Sequence, residues 1–220
     1  MNTLAIGDLH EPFCREDYLA FVKSIYKRFN CKRVVFMGDL VDNHYPSFHT
    51  TDPDGLGGAM ELNTAIERLE KWSKAFPDAY VCEGNHDAII KRKAYEAGIP
   101  KKWIKDYPDM FRTPKWQYSE QFEFDGVLYR HGTGTSGDNA AFKTALYSRK
   151  SVVQGHLHSF ASVQYTASET DKIFGMQVGC GVDQTAYSFA YAKNFPRKFI
   201  VSCGVVLDKG KTAFPILMNL

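Results

Sequence analysis

An alternation in the first half of the chain does most to limit its fold. Residues 3–7, 33–37 and 79–82 are short apolar runs, and each closes on a turn carrying Gly, Asp or Asn. Between them, residues 15–29 place Leu19, Val22, Ile25, Tyr26 and Phe29 at helical spacing, and residues 59–76 place Leu62, Ile66, Leu69 and Trp72 on one face. Strand-like and helical segments in this order define βαβ units, and therefore a parallel sheet with right-handed crossovers. Ligands on such sheets bind outside the carboxyl ends of the strands.

The second half reads differently. Residues 117–124 and 127–130 flank Asp125-Gly126, a pair suited to a tight hairpin turn. Residues 138–147 predict a helix, and 151–154, 160–165, 172–178, 198–206 and 212–217 predict further strands. Pro215 confines the last of these to a sheet edge. The expected architecture is α/β, two packed sheets with helices outside, the first largely parallel and the second antiparallel or mixed. With 220 residues and neither an internal repeat nor a Pro/Ser-rich linker, one domain spanning residues 1–220 is expected.

Composition mainly excludes. A net charge of +2 argues against binding of nucleic acid through a large electrostatic field. The residues following Met1 lack the basic and apolar regions of a signal peptide, and no run approaches a membrane span. Cys14, Cys31, Cys82, Cys180 and Cys203 are odd in number and lack C-x-x-C spacing, so they are expected as core filler in a reduced, cytoplasmic protein. Trp72, Trp103 and Trp116 are expected as packing residues, and the basic run Lys91, Arg92, Lys93, Lys101, Lys102 and Lys105 as a solvated face. Asp87 is expected to cap a helix over residues 88–97.

The informative polar residues lie where strands end. Asp8 and His10 follow the first, Asp39 and Asp42 the second, Asn85, His86 and Asp87 the third, His131 the hairpin strand, and His156 and His158 the strand through Val153. Imidazole, carboxylate and amide donors without thiolates suit Mn²⁺, Fe²⁺ or Zn²⁺. Asp8, His10, Asp39, Asn85, His131, His156 and His158 exceed the needs of one tetrahedral ion and would serve two ions sharing a carboxylate.

In order and spacing, Asp8-x-His10, Gly38-Asp39-x-x-Asp42, Gly84-Asn85-His86-Asp87, His131-Gly132 and Gly155-His156-x-His158 resemble the blocks of the calcineurin-like metallophosphoesterases, most closely the small stand-alone bacterial or phage type. The resemblance implies a four-layer αββα sandwich. It further implies that Asp8, His10 and His158 bind one divalent metal, that Asn85, His131 and His156 bind the other, and that Asp39 bridges. It gives His86 the catalytic role beside the phosphate, with Asn85 also near substrate, and makes Asp42 the orienting carboxylate of His86. Two Mn²⁺ ions are the expected cofactors, with Ni²⁺, Fe²⁺ or Zn²⁺ as alternatives.

The expected activity is hydrolysis of a phosphodiester or phosphomonoester of a nucleotide-type or small substrate. Asn43 follows Asp42 where the protein Ser/Thr phosphatases of this superfamily typically carry Arg, which disfavours a phosphoprotein substrate. A DNA or RNA nuclease is the alternative enzyme. A metal-binding scaffold in a protein assembly is the alternative of another class, opposed by the presence of His86, Asp39 and Asn85. Residues 43–58, 132–137 and 179–198 are the loops placed to shape a pocket. The last holds Tyr187, Phe189, Tyr191 and Phe195 among basic residues.

Overall fold

In a computed structural model, which describes residues 1–48, 53–186 and 198–219, the chain forms two mixed sheets with helices on their outer faces. The first βαβ unit comprises β1 (Thr3–Ile6), α1 (Tyr18–Arg28) and β2 (Arg33–Phe36); α2 (Gly58–Ala75) leads to β3 (Tyr80–Cys82), and α3 (Ile89–Glu96) and α4 (Tyr107–Met110) lead to β4 (Gln117–Ser119). These four strands are parallel in the order β1-β2-β3-β4. At the far side of β1 lie β10 (Ser202–Leu207) and β11 (Thr212–Leu217), both antiparallel to their neighbours. Pro215 sits in the edge strand β11, opposite Gly204, where its missing N–H costs the sheet least.

The second sheet has the order β5-β6-β7-β9-β8. It is built from β5 (Gln121–Phe124), β6 (Val127–Arg130), β7 (Ser151–Gln154), β8 (Ser162–Ala167) and β9 (Lys172–Gln177), with α5 (Ala140–Ser148) linking β6 to the parallel β7. Asp125 and Gly126 both adopt positive φ, 54° and 77°, as the tight hairpin turn requires. Residues 117–124 do not form one strand: Gln117–Ser119 pairs with β3 and Gln121–Phe124 with β6, so the chain changes sheet at Glu120. The strand expected over residues 198–206 begins at Ser202.

Burial follows the period-two rule on both faces of the central strands, as expected where both faces are covered. Leu4, Ile6, Val34 and Phe36 pack with Tyr18, Val22, Leu69 and Trp72 beneath α1 and α2. Their neighbours Ala5, Val35 and Met37 point the other way and pack with Tyr129, Val153, Phe174 and Met176 between the sheets. Leu128, Ala145, Val152 and Ile173 join α5 to the outer face of the second sheet. The layers are therefore α, β, β, α. All five cysteines are buried and free. Trp72 and Trp116 are core residues, but Trp103 is 83% exposed and packs into no core cluster among the described residues. Among the described residues no helix is long and apolar enough to cross a membrane.

Candidate metal centre

The carboxyl ends of β1, β2 and β3 in one sheet and of β6 and β7 in the other converge on one edge, and every polar residue singled out from the sequence lies in those five turns. Close approach of the turns depends on glycine. A Cβ on Gly38, whose φ is +102°, would strike the His131 ring, and one on Gly84 would strike the Asp39 carboxylate and amide. His10, Asp39 and His156 themselves adopt φ of 51°, 48° and 73°. Left-handed conformation at three non-glycine residues of one site is the kind of strain that persists where surrounding structure imposes it.

The side chains form two donor groups joined by Asp39, and His10, Asp42 and His86 make a third cluster beside them. In the first, Asp8, His10, Asp39 and His158 converge, and in the second Asp39, His131 and His156; within each group the ligand atoms lie within 4.8 Å of one another. His10 Nε2 is 3.2 Å from His158 Nε2 and 3.5 Å from Asp39 Oδ2, and His158 Nε2 is 3.1 Å from Asp8 Oδ2. His131 Nε2 is 3.2 Å from Asp39 Oδ2, 2.9 Å from Asn85 Oδ1 and 3.2 Å from His156 Nδ1.

Second partners orient these rings, as is usual for metal-bound histidine. His10 Nδ1 lies 2.7 Å from Asp42 Oδ1 and His131 Nδ1 lies 2.9 Å from the Met37 carbonyl, so in both the Nδ1 proton is donated away and the Nε2 lone pair faces inward. The carboxylate of Asp42 therefore faces His10. His86 Nδ1 instead meets the backbone carbonyl of Asp42 at 2.5 Å, with the carboxylate 3.8 Å away, and the His86 amide donates to Asp39 Oδ1 at 2.8 Å.

The donor set fits cations. Nitrogen faces nitrogen at 3.2 Å twice, and Asp8 Oδ1 is buried without a hydrogen-bond partner among the described residues. Buried polar atoms are otherwise nearly always satisfied. Electrostatics point the same way. Burial is the largest influence on His10 and favours its neutral form, yet hydrogen bonds to Asp39 and Asp42 hold its pKa well above the ordinary value. Burial likewise opposes protonation of His131, but Asp39 and Asp8 raise its pKa to about 9. Asp39 is driven well below the carboxylate range because the neighbouring His131 and His86 outweigh its burial. The centre thus attracts positive charge, and a divalent cation would displace the imidazole protons as it bound. His86 and His156 are shifted downward, each first by burial and then by a neighbouring histidine among the opposing charges.

Asp87 is not a helix cap. Its buried carboxylate accepts from the amides of Leu40 at 2.9 Å, Val41 at 3.3 Å and Gly84 at 3.0 Å, while α3 starts at Ile89 with no side-chain cap. It ties the turn after β2 to the turn after β3, a role that a local capping signal does not distinguish. Burial, then repulsion by Asp39, raises its pKa to about 7. Sequence reasoning also missed Glu61, whose carboxylate accepts the His44 and Tyr45 amides at 2.7 and 3.0 Å and fixes the start of the loop after Asp42. Asn43 Nδ2 donates to the His86 carbonyl at 2.8 Å. The basic run after Asn85 is only partly solvated: Lys91 pairs with Glu83 at 2.7 Å and Lys93 donates to the Ser47 carbonyl, while Lys101, Lys102 and Lys105 are exposed. His49 and the aromatic residues Tyr187, Phe189, Tyr191 and Phe195 lie outside the described residues.

Residues 1–175 match the family model of the calcineurin-like phosphoesterases, and the chain belongs to that family. No curated protein matches it. Among solved structures, it is similar to an archaeal phosphodiesterase (14% identity, TM-score 0.49, covering 99% of this chain and 100% of that one). It is similar also to a phosphoesterase from E. coli (15%, 0.48, 94% and 89%) and to Vacuolar Protein Sorting 29 from Cryptosporidium parvum (12%, 0.49, 100% and 98%).

Proposed function

We propose that the protein is a dinuclear-metal-dependent phosphoesterase, with Mn²⁺ as the favoured cation, acting on phosphodiester or phosphomonoester bonds of a nucleotide-type or small substrate. The observation that carries this reading is that Asp39 belongs to both donor groups, with His86 suspended beside them. Asp8, His10, Asp39 and His158 would hold one cation, and Asp39, Asn85, His131 and His156 the other. When bound, such a pair acidifies water to near-neutral pKa and offsets the charge on phosphate oxygens.

The chain's own contribution is positioning and proton transfer. Asp42 and the Met37 carbonyl fix which nitrogens of His10 and His131 face inward. With His86 Nδ1 committed to the Asp42 carbonyl, its Nε2 is the atom left to exchange a proton with the leaving oxygen, and that side chain remains 21% exposed. Burial is the largest influence on His86 and disfavours the imidazolium that transfer requires, as does His10, while the carboxylates of Asp39 and then Asp42 favour it. No covalent protein nucleophile is needed.

The test is hydrolysis of bis(4-nitrophenyl) phosphate and 4-nitrophenyl phosphate by purified protein loaded with Mn²⁺. Metal-dependent release of nitrophenolate, abolished by chelator, is expected. Absence of turnover with all of Mn²⁺, Ni²⁺, Fe²⁺ and Zn²⁺ would refute the reading.

A further inference from the structure

A cavity of 530 Å³ opens beside Asn85 and His131, and its walls carry two arginines that the proposed chemistry does not use. Arg92 comes from α3, which follows the Asn85 turn, and Arg130 from the end of β6, immediately before His131. Among the described residues neither guanidinium has a carboxylate partner. Arg92 rests over the Phe48 ring, its Cζ 4.8 Å from the centroid, and Arg130 is half-buried. Of the acidic residues on the same walls, Glu83 is engaged by Lys91 at 2.7 Å, which leaves only the exposed Glu120 to oppose them.

Two arginines without counter-ions, facing a cavity that adjoins a phosphate-hydrolysing centre, call for an anion. The guanidinium fork matches phosphate oxygens two at a time, which an ammonium does not. The turn after β2 brings no cation of its own, since Asn43 is spent on the His86 carbonyl. The scissile phosphate belongs at the Asn85 and His131 end, so a group reaching the arginines must lie further along the same substrate.

We propose that this cleft is a subsite for a second phosphate, held by Arg92 and Arg130, and that the substrate is a phosphodiester bearing a further phosphate a few bonds from the one cleaved. This deepens the phosphoesterase reading and rests on it. Free nucleotides phosphorylated at a second position and nucleic-acid strands share that chemistry.

The test compares thymidine 5′-(4-nitrophenyl phosphate) with its 3′-phosphorylated derivative on the Mn²⁺-loaded full chain, because the two share a leaving group and differ only in the second phosphate. The 3′-phosphate should raise kcat/KM by about 10- to 100-fold, the range expected for hydrogen bonds to a charged group. Arg92→Gln and Arg130→Gln should each bring that ratio toward one, and Arg130→Lys should retain part of it. A wild-type ratio near one, or a ratio that neither arginine alters, overturns the subsite. A gain confined to the nucleotide assigns it to free nucleotides, and an equal gain on a single-stranded tetranucleotide assigns it to a strand; both support it. Failure of all these substrates together with bis(4-nitrophenyl) phosphate and 4-nitrophenyl phosphate overturns the phosphoesterase reading instead, whereas turnover of 4-nitrophenyl phosphate alone overturns the subsite and leaves that reading standing.

Discussion

Replacing Asp87 tests how the site is held rather than what binds there. Its carboxylate is the shared acceptor of two turns, one carrying Asp39 and Asp42 and the other Asn85 and His86. Asp87→Ala strands the amides of Leu40 and Gly84, bonded at 2.9 and 3.0 Å, and loosens Val41 at 3.3 Å. A buried donor left without an acceptor costs about 1–3 kcal/mol, so the two short bonds set the loss at roughly 2–6 kcal/mol. Asp87→Asn keeps an oxygen for Leu40 and Val41 but turns an NH₂ toward Gly84, so it should cost about half as much. Urea unfolding followed by the fluorescence of Trp72 and Trp116, both buried, measures the loss, and kcat/KM on bis(4-nitrophenyl) phosphate at saturating Mn²⁺ measures the displacement of His86. An alanine variant within about 0.5 kcal/mol of wild type, the ordinary spread of surface substitutions, or an asparagine variant as unstable as the alanine one, would refute the argument.

Other expectations follow from the same geometry. Asp39→Asn should lower occupancy of both cations in metal analysis by mass spectrometry, and loss of one alone would rule out a bridging role. His86→Ala should retain metal while losing about 10²- to 10⁴-fold in rate on poor leaving groups, the range of general acid catalysis, and loss of metal would make it a ligand instead. Glu11 is buried against Trp72 and Arg68, and burial raises its pKa from 4.5 to about 7. Between those values the folded state binds more protons than the unfolded chain, so this group removes stability as pH rises through the window, on the order of 3 kcal/mol. Glu11→Gln should flatten that slope in thermal unfolding from pH 4.5 to 7.5, and an unchanged slope would contradict it.

The sheet edge that carries the site was legible in the sequence because topology dictates it: βαβ units put the ends of β1, β2 and β3 side by side, and the residues ending them are few and polar. The two-donor pattern at His156 and His158 was legible for the same local reason. Three features were not. Asp87 looks like a cap because a carboxylate before a helix is common, whereas its partners are the Gly84 amide and two amides of a turn more than forty residues away. The change of sheet at Glu120 leaves no trace in a pattern that records which face is apolar but not which strand is the neighbour. Asp42 meets His10 from a turn with left-handed backbone at Asp39 and Asn43, φ 48° and 49°, which residue spacing does not specify.

The change of sheet at Glu120 also means that the proposed ligands come from two separately hydrogen-bonded layers, Asp8, His10, Asp39 and Asn85 from one and His131, His156 and His158 from the other. Each donor group draws on both. Cations held there would rivet the layers together and enter the folding equilibrium: at a free concentration a hundred times the dissociation constant, one site adds about 2.7 kcal/mol. Chelation would then unfasten the sandwich at the end that holds the proposed ligands, coupling metal supply to the lifetime of the fold as well as to the proposed activity.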